Sequence, residues 1–240
     1  MPNRTSQVEL KVADGTTMRA YTALPSGRGP FPGLIVFQEA FGVNRHIRDV
    51  ADRFAREGYA VIAPELFHRT APPGFEGNYA DFASVMPHMK GITPAGLEAD
   101  ARAAWDWLQG QSEVRPKAMA CIGYCLGGRV SFVANSVLPF QAAISYYGGG
   151  IAPDLIKRAP DLHAPMLFFW GGLDKHIPAD QVEAVVDGLG KAGKPHANVV
   201  FSYADHAFFC DDRPNYHEQA ARESWALTLA FLREKLGRPA

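Results

Sequence analysis

The sequence predicts an α/β fold, a mostly parallel sheet covered by helices on both faces. Three observations predict it. Short apolar runs bounded by Gly, Pro or polar turns recur along the chain. Stretches with helical spacing of apolar residues lie between them. No internal repeat, low-complexity tail or linker divides the 240 residues. Residues 1–240 are therefore expected to form a single domain, large enough to bury one sizeable core.

The elements follow in order. The first 25 residues are expected to form antiparallel strands at the edge of the sheet. LIVFQ (34–38) is the first buried strand, and 44–57 a helix that Asn44 caps and Gly58 follows. AVIAP (60–64) is the next strand. Residues 65–92 break the alternation and are rich in Gly, Pro, His and aromatics. A long irregular insertion in a compact domain is often a binding loop, so a loop or lid is expected there. The segment TPAGLEADARAAWDWLQG has Thr93 as cap, Pro94 at the first helical position and Gly110 as stop. Its Leu97, Ala101, Ala104, Trp105 and Leu108 fall near one face. AMACIG (118–123), AAISYYG (142–148), MLFFWG (166–171) and NVVFSY (198–203) are the remaining strands, with helices at 127–137, 179–192 and 215–236.

The composition excludes several classes of function. The chain is 47% hydrophobic with a formal charge of −1 and a pI near 6.7, which gives no electrostatic case for nucleic acid or an acidic membrane surface. No run approaches the roughly 18 apolar residues of a membrane span. The N-terminus MPNRTSQVELKVADG lacks the apolar core of a signal peptide. Three cysteines, an odd number, suggest a reducing, cytoplasmic setting without a disulfide framework. Ligand spacing such as H-E-x-x-H is absent, as is a G-x-G-x-x-G turn, so neither metal nor cofactor is expected. A monomer acting on a small molecule is the expected state.

Chemistry enters at CIGYCLGG (121–128). Gly123, Tyr124, Cys125, Leu126 and Gly127 form the G-x-C-x-G version of a nucleophile elbow, with sulfur in place of the usual serine oxygen. An apolar strand precedes it and a helix-compatible run follows. The sharp turn holds the nucleophile in a strained conformation that only small neighbours allow. The helix N-terminus points its positive end at the sulfur. The backbone N–H of Leu126 becomes available to an oxyanion.

A thiol nucleophile needs a base, and the base needs an orienter. In hydrolases built on such an elbow the chain order is nucleophile, acid, histidine. Asp174 follows the end of the MLFFWG strand and His206 follows the last strand. Both lie at carboxyl ends of strands, on the edge where open α/β sheets bind ligands. Cys125, Asp174 and His206 are the candidate triad. Asp180 is the nearest alternative acid. His68, His88, His163, His176, His196 and His217 are alternative histidines, none of which comes directly after the final strand. Cys121, mid-strand, reads as a small apolar filler. Cys210, four residues beyond His206, is a candidate for the pocket wall.

Glu39 ends the apolar run LIVFQ and precedes AFGVN. A carboxylate there is costly if buried without a partner. The functional expectation is that Glu39 contacts the Cys125 thiol and manages its proton, with the N–H of Ala40 as second oxyanion donor beside that of Leu126. The alternative is a turn residue or a surface salt bridge.

The motifs QEAFGVN (38–44), GYCLGG (123–128), GxxD (171–174) and DHAFF (205–209) together resemble those of the dienelactone hydrolase (carboxymethylenebutenolidase) family of the α/β-hydrolase fold. They occur in the family's order and cover essentially the whole domain. The resemblance implies a cofactor-free carboxylic ester hydrolase that opens an activated ester or lactone through a thiol-acyl intermediate. It maps the family's Cys–Asp–His triad onto Cys125, Asp174 and His206. It maps onto Glu39 a glutamate thought to hold the resting cysteine and then take its proton. Family prototypes bind a substrate carboxylate with two arginines. At one of those positions this chain has Cys210, and near the other it offers Arg69, while Arg213 in DDRPNY is a substitute. Tyr124, Phe41 and Phe208 are candidate pocket walls. The alternatives on the same fold are an acyltransferase, which differs only in water access, and a non-catalytic binding or redox module.

Overall fold

A computed structural model describes residues 3–238. Eight strands form one sheet in the order β1-β2-β4-β3-β5-β6-β7-β8. They are β1 (Arg4–Lys11), β2 (Thr17–Leu24), β3 (Phe31–Phe37), β4 (Ala60–Pro64), β5 (Val114–Tyr124), β6 (Ala142–Tyr146), β7 (Met166–Gly171) and β8 (His196–Phe201). β1 and β2 pair antiparallel, as does β2 with β4, and every later neighbour pairs parallel. The antiparallel edge from the first 25 residues and the parallel remainder are both as the sequence predicts. β3, β4, β6 and β7 are buried at every position, the signature of strands covered on both faces.

The helices are α1 (Arg45–Arg56), α2 (Phe82–Lys90), α3 (Pro94–Gln109), α4 (Leu126–Val137), α5 (Ala179–Lys191) and α6 (Glu218–Leu236), with a 3-10 turn at Leu155–Asp161. Their ends follow side-chain capping. Asn44 Oδ1 accepts from the Ile47 amide at 3.2 Å, and Thr93 Oγ1 from the Gly96 amide at 3.1 Å. Gly58, at φ 93°, takes the left-handed conformation that lets the chain turn from α1 into β4. α6 starts at Glu218 rather than 215 because His217 caps it, its Nδ1 facing the Ala220 amide at 3.4 Å. The last strand ends at Phe201 and not 203, since Ser202 and Tyr203 already turn toward the following loop.

Alternation along β5 and β6 places these helices on two faces. Cys121 points its sulfur at Ser131 of α4, while Tyr124 stacks on Phe209. Gly128 of α4 abuts Ser145, whereas the neighbouring Tyr146 hydroxyl meets Thr228 of α6 at 2.8 Å. On the latter face α1 and α6 meet through Phe54 and Trp225, whose rings lie 4.5 Å apart. Arg53 of α1 lies over the same indole at 4.4 Å. The fully buried Phe54 side chain contributes about 1.5–3 kcal/mol.

Residues 65–92, expected from their composition to be irregular, contain the helix α2. Asp81 caps α2 within them, accepting from the Ser84 amide at 3.2 Å. The segment is tied to the body of the protein at several points. Gly77 donates its amide to the Phe41 carbonyl at 3.0 Å, and Val85 packs with Ala40 and Phe41. Glu76 pairs with Arg48 at 2.6 Å.

Candidate active site

The parallel order of β3, β5, β7 and β8 brings Glu39, Cys125, Asp174 and His206 to the same edge of the sheet, each just beyond its strand's carboxyl end. Cys125 connects β5 to α4 with φ 54° and ψ −114°, a conformation that costs a non-glycine residue about 1–3 kcal/mol. The surroundings over-determine it. Its amide donates to the Tyr146 carbonyl at 3.0 Å, and its carbonyl accepts from Gly128 at 3.0 Å. The flanking glycines are there for space. A Cβ on Gly123 would collide with the Gly127 backbone, and one on Gly127 with the carbonyls of Phe37 and Gln38. Leu126 opens α4, so its N–H has no partner within the helix.

Asp174 is buried and uses both carboxylate oxygens. Oδ1 accepts from the amides of His176 at 2.8 Å and Ile177 at 3.2 Å, and Oδ2 faces His206 Nδ1 at 2.7 Å. Burial works against a charged His206 imidazole. The Cys125 sulfur, as a charge and a hydrogen-bond partner, and the Asp174 carboxylate outweigh it and raise the pKa to about 10. The ring packs 5.1 Å from that of Tyr147 and 5.4 Å from that of His176.

Glu39 is fully buried, and neither carboxylate oxygen has a hydrogen-bond partner of good geometry. Burial pushes its pKa up, while the charges of Arg213 and His206 and the nearby Tyr79 hydroxyl pull it partly back. Such a carboxyl favours the neutral form. Ala40 beside it is fully buried. Burial of Glu39 rules out a surface salt bridge, while its backbone bridges Gly42 across the turn at 40–41.

A cavity of about 520 Å³ opens above the elbow, lined by Cys125, Leu126 and His206 with Phe41, Tyr79, Phe82, Met89, Arg129, Gly149, His176, Ile177 and Arg213. Of the wall residues the sequence suggests, Phe41 and Arg213 reach it. Four do not. Tyr124 lies in the aromatic layer under the elbow, between Tyr146 and Phe209 at 4.8 and 5.3 Å. Phe208 is enclosed by Tyr147 and Phe201. Cys210 is fully buried, its sulfur 3.4 Å from the Tyr79 hydroxyl. Arg69 is held away by Asp14 at 2.7 Å and Asp100 at 2.8 Å, the latter a buried carboxylate on α3 that needs a cation.

Sequence reading missed Arg129, Tyr79, Phe82 and Met89 as wall residues. Arg129 stands four residues after Cys125, one helical turn along α4, and that spacing was the available signal. The other three lie within 65–92, where composition marks the segment but no single residue. Among the described residues neither Arg129 nor Arg213 forms an ion pair. Arg213 lies over the rings of Phe41 and Tyr79 at 5.6 and 5.5 Å.

The family model described as the dienelactone hydrolase family matches residues 18–236. The chain belongs to the dienelactone hydrolase family. A protein of Escherichia coli K12 provisionally named carboxymethylenebutenolidase is 34% identical, the match covering 94% of this chain and 86% of that one. A protein of Synechocystis sp. with the same provisional name is 34% identical over 85% of this chain and 87% of its own. A crystal structure from Klebsiella pneumoniae, provisionally named a dienelactone hydrolase, superposes with a TM-score of 0.85 at 33% identity, covering 97% of this chain and all of that one. As a dienelactone hydrolase family member with this α/β-hydrolase sheet, the chain is a carboxylic ester hydrolase of class EC 3.1.1. No helix among its described residues is long and apolar enough to cross a membrane.

Proposed function

We propose that this family member hydrolyses activated esters or lactones through a thioester on Cys125, with His206 as proton carrier, Asp174 as its orienter and Glu39 as manager of the resting thiol. One observation carries the reading. Cys125, held at positive φ on a strand-to-helix turn, shares a cavity with His206, and His206 Nδ1 is fixed by Asp174 at 2.7 Å.

The chemistry follows from these positions. The Cys125 sulfur attacks the substrate carbonyl, and the oxyanion takes the N–H groups of Leu126 and Ala40, an effect worth several kcal/mol. The carbon–oxygen bond breaks, and the leaving enolate or alkoxide takes a proton from His206, whose imidazolium Asp174 stabilises. Water then attacks the thioester as His206 removes its proton. The thiolate leaves, and the acid product departs. A thiolate is itself a good leaving group, so the adduct of a poor leaving group reverts. Enol esters and enol lactones therefore suit a sulfur nucleophile best.

The two cavity arginines, Arg129 and Arg213, bear on the substrate. Both line the cavity, and Arg129 is half-buried in the same wall as Cys125. Together they suit a substrate that carries a carboxylate, which enters past Phe82 and Met89 of α2. The pair supports the family's substrate type from positions other than Arg69 and Cys210.

The decisive experiment is mass spectrometry of the protein mixed with p-nitrophenyl acetate, beside Cys125→Ala and Cys125→Ser. An acetyl adduct on Cys125 that decays in water, with turnover lost in Cys125→Ala, is the expected result. Decay of the adduct only in the presence of an added alcohol or amine acceptor would indicate acyl transfer. Unchanged hydrolysis in Cys125→Ala would remove Cys125 as the nucleophile.

A further inference from the structure

Behind the cavity wall, Glu39, His46 and Cys210 bring a carboxylate oxygen, an imidazole nitrogen and a sulfur within 4.8 Å of one another. All three side chains are buried, with relative exposures of 0%, 2% and 0%. Both oxygens of Glu39 and Nε2 of His46 have no hydrogen-bond partner. Buried polar atoms are almost always satisfied, and an orphaned carboxylate and imidazole this close to a buried sulfur call for a shared ligand.

The donor set narrows its identity. Calcium and magnesium take oxygen, whereas a mixed oxygen, nitrogen and sulfur set suits zinc, which sits about 2.0–2.1 Å from nitrogen and 2.3 Å from sulfur. The supporting groups fit as well. His46 Nδ1 lies on the side of the Asp211 carboxylate, 3.7 Å away, which leaves Nε2 for the interior. The Tyr79 hydroxyl, which accepts from Asn44 Nδ2 at 2.8 Å, lies 3.4 Å from the Cys210 sulfur and can share a proton with it. Burial keeps the metal-free Cys210 a thiol, so its proton leaves only as the metal binds. The ligands stand at 39, 46 and 210, so no linear spacing announces them, and the sequence gives no reason to expect a metal.

We propose that Glu39, His46 and Cys210 form a three-ligand zinc site with water as fourth ligand, and that its occupation inhibits hydrolysis by taking Glu39 away from the proton of Cys125. The inhibitory part rests on the role given to Glu39 under the proposed function, and the binding part does not. On binding, the protons carried by Cys210 and Glu39 pass to solvent and no electron is transferred.

The test separates this site from the triad, which also offers a sulfur and a histidine. Cobalt(II), a spectroscopic stand-in for zinc, is titrated into Cys125→Ala. The expected result is one equivalent bound with a near-ultraviolet sulfur-to-cobalt charge-transfer band, displaced by zinc. The band disappears in Cys125→Ala/Cys210→Ala and in Cys125→Ala/Cys210→Ser. His46→Gln in the same background weakens binding by more than the roughly 10–100-fold that loss of a supporting outer group brings. Circular dichroism of each variant shows that the fold is retained. A band that survives loss of Cys210, or no band in Cys125→Ala, overturns the site. In the protein with Cys125 intact, zinc lowers turnover of p-nitrophenyl acetate, and the ratio of rates with and without zinc returns to one in Cys210→Ala. A site that binds in the titration but leaves this ratio at one in the parent protein overturns the inhibition. A failure of the thioester reading appears as a missing acyl adduct and leaves the cobalt titration unaffected.

Discussion

His206 presents Nδ1 to Asp174 Oδ2 at 2.7 Å, while Asp174 Oδ1 is occupied by the amides of His176 and Ile177. The carboxylate is anchored by backbone and the imidazole by the carboxylate, so Nε2 has a single direction. Asp174→Asn keeps the shape and removes the charge. Turnover is expected to fall by about 10²–10⁴-fold. The His206 pKa, followed by NMR of the ring protons, is expected to drop from about 10. An unchanged titration would show that Asp174 does not charge-stabilise the ring.

The same shift predicts a pH dependence of stability. A histidine whose folded pKa lies near 10, above its ordinary 6.5, adds stability that is fully present below pH 6.5 and is lost as pH rises through 10. The difference in urea midpoint between the parent and His206→Gln is therefore expected to shrink across that window. A constant difference would place the effect in packing and not in proton binding.

Glu39 predicts the opposite pairing of stability and activity. Its raised pKa means that the folded state holds a proton the unfolded chain releases, so stability falls as pH climbs above the ordinary carboxylate value of 4.5. Glu39→Gln removes this slope, and its thermal midpoint at neutral pH is expected to exceed the parent's. Turnover is expected to fall by about 10²-fold. A variant that is both less stable and fully active would assign Glu39 to packing alone.

Strain at Cys125 can be measured directly. Cys125→Gly relieves the φ of 54° and is expected to gain about 1 kcal/mol, roughly 2–4 °C in Tm for a chain of this size, while losing hydrolysis. Calorimetry showing a lower Tm than in Cys125→Ala would mean the elbow is not strained.

The arginines divide into two kinds. Arg69→Ala leaves the buried Asp100 with only His68 at 3.0 Å and is expected to cost about 1–3 kcal/mol of stability. Its KM values are expected to remain those of the parent. Arg129→Met and Arg213→Met are expected to raise KM for esters that carry a carboxylate, by about 10-fold or more each, and to leave neutral esters little changed. Equal effects on both kinds of ester would remove the carboxylate reading.

The contrast between Arg69 and Arg129 shows where the sequence stops being legible. The strands at 34–38, 60–64, 118–123, 142–148 and 166–171 announce themselves by apolar runs between turn residues, and helices such as α1 and α3 by their caps. Those signals are local, because hydrogen bonding and burial of one segment depend mainly on its own residues. The elbow at 121–128 is also local: its glycines are needed by the turn itself. The chain order of Cys125, Asp174 and His206, each after a strand, followed from the parallel alternation. Which side chains meet across distant segments did not. Arg69 lies in the expected segment but answers to Asp14 and Asp100, while Tyr124 and Phe208 complete an aromatic layer with Tyr146, Tyr147, Phe201 and Phe209. Glu39, His46 and Cys210 converge only because β3, α1 and the loop after β8 pack together. By itself the sequence determined the sheet, the turn that strains the cysteine and the order of the site. The tertiary structure decided which arginines face the cavity and which polar groups are buried without partners, because burial is set by every segment that packs around a side chain at once.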